Sequence, residues 1–474
     1  MKKIYALRNT LALALIFTSG ILHAQVKVFE KTFGGARDDY GHALARTADG
    51  GYILAGQSYS FGDTTSDTYL VKTDADGNQQ WMKTMGSDTL DGANSILQTS
   101  DGGYFITNHT EGYGAGDCDA WMCKTDGSGN ILWNQTYGCP EDDLGLDAME
   151  TNDHFLVTCG VARTVDPSGD AFLAKYTLDG NIVWIKNFGG PGGQDGWRIT
   201  QAPDGGYVVA GNNIENVNGP IDIFIFKTDA GGNLQWSKNY GGPGEEHAYG
   251  LCHATDGGYI VCGSTTSFGS GDEDAYILKI DESGNQQWSR NYGGPFQDEA
   301  TGVVPAYDGG YTFTGFTKSF GDPMDAMVIK TDAFGNQQWM KTYGDAASEK
   351  KCNWIVACDD GGYAMTGSKQ QTGSYADLYF VKTDSEGNTS LNVPDVAGSN
   401  PHFIIFPDPA VNSITLSYDN LMSNPEVLIY NAYGKLLFDG FDNKKINIES
   451  LSEGMYFITL RQDDKIYSHR FLKM

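Results

Sequence analysis

The stretch at 251–263 reads LCHATDGGYIVCG, and 274–294 reads DAYILKIDESGNQQWSRNYGG. Four runs rich in aromatic and β-branched residues alternate there with turns that contain glycine. Glycine adopts positive φ without steric cost, so such turns between such runs predict β-hairpins. The YIVCG run is apolar on both faces, as expected of an inner strand packed between neighbouring sheets. The stretch therefore predicts a unit of four antiparallel strands.

This unit recurs along the chain with a period of about 52 residues. Intact copies of Asp-Gly-Gly-Tyr begin at Asp49, Asp101, Asp204, Asp256, Asp308 and Asp360, and a worn copy, DHFL, begins at Asp153. The pattern Gly-Asn-x-x-Trp has the same period and places tryptophan at 81, 133, 184, 236, 288 and 339. Seven units of this length, each with four strands, predict an all-β fold, a seven-bladed β-propeller.

The two ends of the repeat region indicate how the ring closes. The last unit stops at Leu391 without its outer strand, and FEKTFGG at 29–35 matches WSKNYGG at 236–242. We therefore expect the N-terminal strand to complete the last blade, which removes the open edges of a linear array. An open solenoid is the alternative.

Composition excludes several classes of protein. The chain has 62 glycines in 474 residues but no G-X-Y period, and 40% of its residues are hydrophobic, so neither collagen nor a disordered chain fits. The net charge is −28, and residues 25–391 alone carry 22 basic against 50 acidic residues. Such a surface repels phosphate, so nucleic acid is not an expected partner.

Residues 1–24 have the pattern of a secretory signal peptide. Lys2, Lys3 and Arg8 precede the apolar run LALALIF at 11–17, and LHA at 22–24 precedes the expected cut. A buried N-terminal helix is the alternative. Because no other stretch is long and apolar enough to cross a bilayer, we expect a mature protein without a transmembrane segment, outside the cytoplasm.

After the repeats, residues 392–402 predict a linker, and 403–474 predict a small β-sandwich. The latter contains FPDP at 406–409, IYNAYGK at 429–435 and GMYF at 454–457. This segment resembles the C-terminal sorting domain, of type A, of the type IX (Por) secretion system of Bacteroidetes. The resemblance assigns the sorting signal to Pro407, Asp408, Pro409, Gly434, Lys435, Gly454, Tyr456 and Lys473. A generic β-sandwich used for binding is the alternative.

The resemblance implies a route and a partner. The family usually has Asn where this chain has Asp408, a mild departure. Such a protein crosses the inner membrane by its signal peptide, and the type IX machinery recognises it in the periplasm. It then passes the outer membrane and is released or attached to surface lipopolysaccharide. The expected location is therefore extracellular or on the outer-membrane surface.

Two acidic positions recur in the units. The first is an aspartate that precedes each third strand, with a lysine five residues later. These aspartates either form a ring of carboxylates around the channel or stabilise the structure of each blade. The other predicts an acidic rim, at Asp39, Asp91, Asp143, Glu246 and Asp298. Calcium takes oxygen ligands from flexible loops, so a calcium site at this rim is one hypothesis. A solvated rim is the other, and no other cofactor is expected.

Catalysis needs one site rather than seven, so it is expected at residues that break the repeat. These are Trp197, Arg198, His247, His253, Lys350, Lys351 and Trp354. They form no Ser/His/Asp, His-rich metal or phosphate-loop motif. We therefore assign no catalytic residue and expect a protein that is not an enzyme.

The eight cysteines are an even number in an exported chain. Cys252 and Cys262 flank the turn at 256–258, which favours a cross-strand disulfide if the geometry permits. Free buried thiols are the alternative.

These observations predict a secreted or cell-surface propeller with a binding or structural role. Its ligand would be a glycan or a surface protein, held on a face with aromatic loops such as 60–62 and 267–269. The alternative is an extracellular hydrolase that acts on polysaccharide through the rim carboxylates.

Overall fold

The computed structural model describes residues 27–62, 65–164, 167–214, 219–321, 323–390, 403–407, 409–418, 425–431, 436–441, 444–462 and 465–474. The predicted signal peptide and linker lie outside these residues, as do Asp408, Gly434 and Lys435 of the predicted sorting signal.

Seven antiparallel sheets of the repeat region form the blades of a propeller. Their strands are β1 (Phe29–Phe33), β2 (Asp39–Arg46), β3 (Tyr52–Ser58), β4 (Asp67–Thr73), β5 (Gln79–Met85), β6 (Asp91–Gln98), β7 (Tyr104–Thr110), β8 (Asp119–Thr125), β9 (Ile131–Tyr137), β10 (Leu144–Glu150), β11 (Phe155–Ala162), β12 (Asp170–Thr177), β13 (Ile182–Phe188), β14 (Gly193–Gln194), β15 (Arg198–Gln201), β16 (Tyr207–Ile214), β17 (Ile221–Thr228), β18 (Leu234–Tyr240), β19 (Glu246–His253), β20 (Tyr259–Thr265), β21 (Asp274–Ile280), β22 (Gln286–Tyr292), β23 (Asp298–Pro305), β24 (Tyr311–Thr317), β25 (Asp325–Thr331), β26 (Gln337–Tyr343), β27 (Ser348–Ala357), β28 (Tyr363–Gln371) and β29 (Ala376–Lys382).

We number the blades in chain order. Blades 1 to 3 are β2–β5, β6–β9 and β10–β13, and blades 5 and 6 are β19–β22 and β23–β26. In blade 4 the inner strand is split, so β14 and β15 both pair with β16, followed by β17 and β18. Blade 7 has the order β27-β28-β29-β1. The predicted seven-bladed propeller is confirmed.

The N-terminal strand closes the ring as predicted. Strand β1 pairs with β29 from Phe29 opposite Lys382 to Phe33 opposite Leu378. Elsewhere, each outer-strand tryptophan packs on the turn glycine of the next blade, and a Cβ on Gly284 would lie 2.9 Å from the Trp236 ring. Phe29 takes this role at the junction, where a Cβ on Gly77 would lie 2.6 Å from its ring. The closing contact therefore copies the other blade contacts.

The lysine of each third strand pairs with the aspartate of the Asp-Gly-Gly-Tyr turn in its own blade. Lys279 is fully buried, and its Nζ lies 3.1 Å from Asp256 Oδ1. A buried ammonium without a carboxylate partner is strongly destabilising, so the two residues depend on each other. The pairs are Lys72–Asp49, Lys124–Asp101, Lys175–Asp153, Lys227–Asp204, Lys279–Asp256, Lys330–Asp308 and Lys382–Asp360.

The C-terminal segment forms two sheets, with the orders β30-β31-β34 and β33-β32-β35-β36. The strands are β30 (Phe403–Phe406), β31 (Ser413–Tyr418), β32 (Glu426–Asn431), β33 (Leu436–Phe441), β34 (Lys445–Asn447), β35 (Gly454–Gln462) and β36 (Lys465–Lys473). Both sheets contribute to one apolar core, with Ile414 from the first and Ile458 from the second. Tyr456 is buried there against Phe471, with ring centroids 5.6 Å apart. The predicted small sandwich is confirmed.

Candidate functional site

A β-bulge interrupts the inner strand of the blades at one repeat position. In blade 1 the register shifts between Gly41 and Ala43, which leaves His42 as the extra residue. A bulge re-aims a side chain out of the regular alternation. In blade 4 the inner strand is instead interrupted between β14 and β15, and Trp197 lies in this gap. The seven residues at this position are His42, Asn94, Leu146, Trp197, Tyr249, Thr301 and Asn353.

The positions on either side of the bulge vary just as widely. Two residues earlier stand Tyr40, Gly92, Leu144, Asp195, His247, Glu299 and Lys351, and no residue type occurs twice. One residue later stand Ala43, Ser95, Asp147, Arg198, Gly250, Gly302 and Trp354. We call these three sets the mouth layer, the bulge layer and the floor layer. They differ between blades whereas the blade-building residues repeat.

These layers enclose a cavity of about 540 Å³ at the mouth of the central channel. Every blade contributes to it. The lining residues are His42, Asn94, His109, Leu144, Leu146, Trp197, Arg198, Tyr249, Glu299, Thr301, Lys351 and Asn353. Ligand pockets of proteins commonly have volumes of roughly 300–1,000 Å³.

A cation–π contact spans the channel in the floor layer. The Arg198 guanidinium lies 4.4 Å from the centre of the Trp354 ring, and Arg198 Nη1 donates to the Trp197 carbonyl at 2.9 Å. Gly250 and Gly302 occupy the same layer and place no side chain there. Arg198 therefore lines the cavity at this layer, and Trp354 lies beside it.

One side of the cavity presents hydrogen-bond acceptors. Asn94 Nδ2 donates to the Gly145 carbonyl and Asn353 Nδ2 to the Gly41 carbonyl, each at 2.8 Å. In the same way His42 Nδ1 donates to Ala93 and Thr301 Oγ1 to Cys352, each time to the next blade. These bonds help to close the ring, and Asn94 Nδ2 also lies 3.4 Å from His109 Nδ1. The oxygens of Asn94, Asn353 and Thr301 and Nε2 of His42 accept no hydrogen bond from a described residue, so they are available as acceptors. We call Thr301, Asn353, His42 and Asn94 the acceptor wall.

The opposite side is apolar and aromatic. The rings of Trp197 and Tyr249 meet edge to face at 5.7 Å, and His247 stacks parallel to Tyr249 at 5.8 Å. Leu144 and Leu146 continue this surface on blade 3. We call Leu146, Trp197 and Tyr249 the aromatic wall. The cavity is therefore amphipathic, with its two walls on different blades.

Burial determines the charge state of the lining. Burial lowers the pKa of His42 to about 4 and lowers that of His109, so both imidazoles are neutral at pH 7. Burial and the neighbouring Glu273 raise the pKa of Glu299 to about 7. Burial also raises the pKa of Asp195 to about 6, although Asn212 and Trp197 donate hydrogen bonds to it. Lys351 is the cation at the mouth.

The predicted acidic rim differs from the expectation. Asp39, Asp91, Asp143, Glu246 and Asp298 are fully buried rather than displayed in loops. Their carboxylates accept hydrogen bonds from loop main-chain groups: Gly294 N donates to Asp298 Oδ2 at 2.8 Å, and Gly242 N donates to Glu246 Oε2 at 2.6 Å. Across the described ranges, no group of three or more His, Cys, Asp or Glu gathers to hold a metal ion. Calcium binding stays a prediction that this geometry does not favour.

Both recurring acidic positions meet at the seams between blades. A Cβ on Gly86 would lie 2.5 Å from Asp91 Oδ2 and 2.7 Å from Asp67 Oδ1, so this glycine separates two carboxylates. Five glycines that follow an outer strand separate two carboxylates in this way: Gly34, Gly86, Gly138, Gly241 and Gly293. Gly189 lies between Asp170 and the Gln194 amide, and Gly344 lies against Asp325 alone. The third-strand aspartates therefore lie at the seams rather than around the channel.

The predicted cross-strand disulfide is wrong in its register. Cys252 lies opposite Ile260, and Cys262 lies opposite Gly250, because the hairpin begins with His253 opposite Tyr259 and a bulge follows. Both residues are free thiols, as are the other six cysteines.

The aromatic loops named from the sequence pack on their own blades. Phe61 stacks on Tyr69 and Phe268 on Tyr276, each with ring centroids 5.7 Å apart. A role of these loops in binding stays a prediction.

The repeat-breaking residues identified from the sequence gather at the cavity in part. Trp197, Arg198 and Lys351 line it, while Trp354 and His247 lie beside it. His253 and Lys350 do not take part: His253 Nε2 donates to the Gln201 carbonyl at 2.7 Å, and Lys350 pairs with Glu30 at 3.4 Å. Sequence reasoning missed His42, Asn94, Tyr249, Thr301 and Asn353, which a column-by-column comparison of the seven repeats would have identified.

Comparison with known families identifies the end of the chain. Residues 404–474 match the family model described as the secretion system C-terminal sorting domain. The protein is a type IX secretion cargo. Its sorting domain indicates export through that machinery to the extracellular space or the cell surface, which confirms the predicted resemblance and location. In the part of the chain that the structure describes, we find no helix with the length and apolar character needed to cross a membrane.

The chain is also similar to other known proteins. A regulatory protein, FlaEY, of Caulobacter vibrioides is 26% identical over 258 residues, and the match covers 48% of this chain and 26% of that protein. This cargo protein thus spans about a quarter of the length of the curated relative it matches. The WD40 domain of Pan2 from Neurospora crassa is 11% identical with a TM-score of 0.47, covering 77% of this chain and 98% of that one. A Dyadobacter fermentans protein of unknown function is 12% identical with a TM-score of 0.46, and the match covers 75% of this chain and 98% of that one.

Proposed function

We propose that this exported propeller is a binding protein that holds the terminal sugar of a glycan in its central cavity. A pyranose ring has an apolar C–H face and an edge of hydroxyl groups. The aromatic wall suits the C–H face, and the acceptor wall suits the hydroxyl donors. Apolar surface with a few well-placed polar groups is typical of small-molecule sites.

The observation that carries this proposal is where the repeat is broken. Glycines, tryptophans and Lys–Asp pairs recur in the blades because every blade needs them. The mouth, bulge and floor layers differ from blade to blade although they also belong to the repeat. A role confined to scaffolding gives no reason for this variation, whereas recognition of one asymmetric ligand does.

A surface protein is the other ligand considered, and the shape of the cavity favours a glycan. Protein partners need contact areas of about 800 Å² on each side. The cavity is a concave space of about 540 Å³, with Arg198 in its lining, which suits the end of a glycan chain better than a broad surface.

A glycan array probed with the full chain tests the proposal. We expect binding to a restricted set of terminal sugars and its loss in Trp197→Ala. Phe334→Ala is the matched control, because Phe334 is 68% exposed in a hairpin turn and does not line the cavity. Binding that survives Trp197→Ala in a folded protein contradicts the proposal.

Hydrolysis of the bound glycan is a second candidate, favoured by the Glu299 carboxyl. It lines the cavity, and burial and Glu273 raise its pKa to about 7, which suits a general acid at neutral pH. The rim carboxylates are instead engaged by main-chain groups. New reducing ends from array-positive glycans, lost in Glu299→Gln while binding persists, would favour hydrolysis over binding alone.

A further inference from the structure

Lys351 differs from other lysines of the propeller. It lies half-buried in the mouth layer, and its ammonium forms no ion pair or hydrogen bond with any described residue. Its neighbour Lys350 pairs with Glu30 and Asp345, and the third-strand lysines pair with their turn aspartates. Lys351 acts electrostatically on Glu299 and opposes the rise in the pKa of that carboxyl, but no described carboxylate lies within ion-pair distance of its ammonium. At a cavity wall, such a cation is available to a ligand.

The acidic groups near Lys351 are already engaged. Glu299 Oε1 accepts a hydrogen bond from Gln297 Nε2 at 2.7 Å, and the same nitrogen donates to Glu273 at 3.0 Å. Lys318 Nζ lies 2.7 Å from Gln297 Oε1 and completes this group. On the other side, Asp195 accepts from Asn212 N at 2.6 Å and from Trp197 Nε1 at 3.0 Å.

The remaining basic groups of the cavity cannot replace Lys351. Arg198 is held against Trp354 in the floor and lies near the buried Asp147. His42 and His109 are neutral. One accessible positive charge therefore stands among hydrogen-bond acceptors.

From this arrangement we infer that the cavity takes an acidic saccharide, whose carboxylate binds the Lys351 ammonium while its hydroxyls donate to the acceptor wall. This inference rests on the proposed function and names the ligand class. An ammonium is a compact donor of three hydrogen bonds, and bonds between charged groups are roughly twice as strong as neutral ones. The aromatic wall is left for the C–H face of the ring.

Calorimetric titration of the full chain tests this assignment. The probes are glucuronate, galacturonate and mannuronate, each beside its uncharged methyl ester, which has the same hydroxyls. We expect one acid to bind about tenfold or more tightly than its ester. Lys351→Gln should bring the acid to the level of the ester, and Lys351→Arg should keep most of the preference. Lys341→Gln, the same charge change on an exposed outer strand, should have no effect.

The outcomes separate the two proposals. Equal binding of acid and ester by the wild-type protein, or an acid preference unchanged in Lys351→Gln, overturns this inference and leaves the glycan proposal standing. If no sugar in the panel binds and the glycan array is also empty, both are overturned.

Discussion

Arg198 and Trp354 meet in the middle of the ring although they belong to blades 4 and 7. The guanidinium lies 4.4 Å from the indole centre, and the two blades are three apart, as far as a ring of seven allows. The same arginine gives the buried Asp147 a nearby positive charge, and Asp147 accepts hydrogen bonds from Ser95 Oγ at 2.7 Å and Ile199 N at 3.1 Å. Arg198, Trp354 and Asp147 therefore form one group of electrostatically interacting residues at the floor layer.

Replacing Arg198 should destabilise the fold in a pH-dependent way. Burial raises the pKa of Asp147, and Arg198 opposes this shift. In Arg198→Met the folded-state pKa rises further above the unfolded value, so stability falls as pH rises through it and recovers below the unfolded value. We expect a loss of about 3 kcal/mol at pH 8 and less at pH 5, from urea unfolding. Adding Asp147→Asn should remove the pH dependence, and a loss equal at both pH values would refute this account.

Two adjacent glycines should differ in how well they tolerate alanine. A Cβ on Gly189 would collide with the Asp170 carboxylate at a blade seam, whereas a Cβ on Gly190 would meet nothing within 4 Å. Because the seam is closely packed, we expect Gly189→Ala to lower the free energy of unfolding by about 1–3 kcal/mol and Gly190→Ala to change it little. Thermal unfolding of the two variants, which differ only in position within one Phe-Gly-Gly motif, measures this directly. Equal midpoints would disprove the seam contact.

The ring was predictable from the sequence because the residues that make the contacts within and between blades recur in the seven repeats. The turn glycines, the Trp–Gly contact and the match between Phe29 and the outer-strand tryptophans all recur at one period. Closure by β1 followed from that match together with the missing outer strand of the last unit.

The cavity was predictable only in part because rare residue types attract notice and common ones do not. Trp197 and Lys351 stood out, whereas Asn94, Thr301 and Asn353 look like ordinary strand residues. Their orientation depends on a bulge, which no periodicity of two predicts. The register of the hairpin likewise places Cys252 and Cys262 opposite other residues rather than opposite each other. The acidic residues of the predicted rim were expected in exposed loops, but a carboxylate at the start of a strand can turn inward and accept hydrogen bonds from loop amides.

Asp274→Asn should stabilise the protein at neutral pH. Asp274 Oδ1 is buried and has no hydrogen-bond partner among the described residues, and burial together with Asp298 raises its pKa. An amide there carries no charge, so it removes the repulsion between the two carboxylates. Because a raised folded-state pKa makes the wild type lose stability as pH rises through it, the advantage of the variant should grow from pH 5 to pH 8. We expect about 1 kcal/mol at pH 8 by urea unfolding, and a destabilised variant would contradict the like-charge account.

Removal of residues 403–474 should stop export without affecting the fold of the propeller. The sorting-domain match covers 404–474, whereas the cavity and the closing strand β1 belong to the repeat region. In the bacterium that produces the protein, we expect the truncated chain to accumulate in the periplasm, as measured by cell fractionation and surface labelling. Trp197→Ala with an intact sorting domain is the control and should reach the surface normally, because its defect lies in binding. Surface display of the truncated chain would show that export depends on another part of the protein.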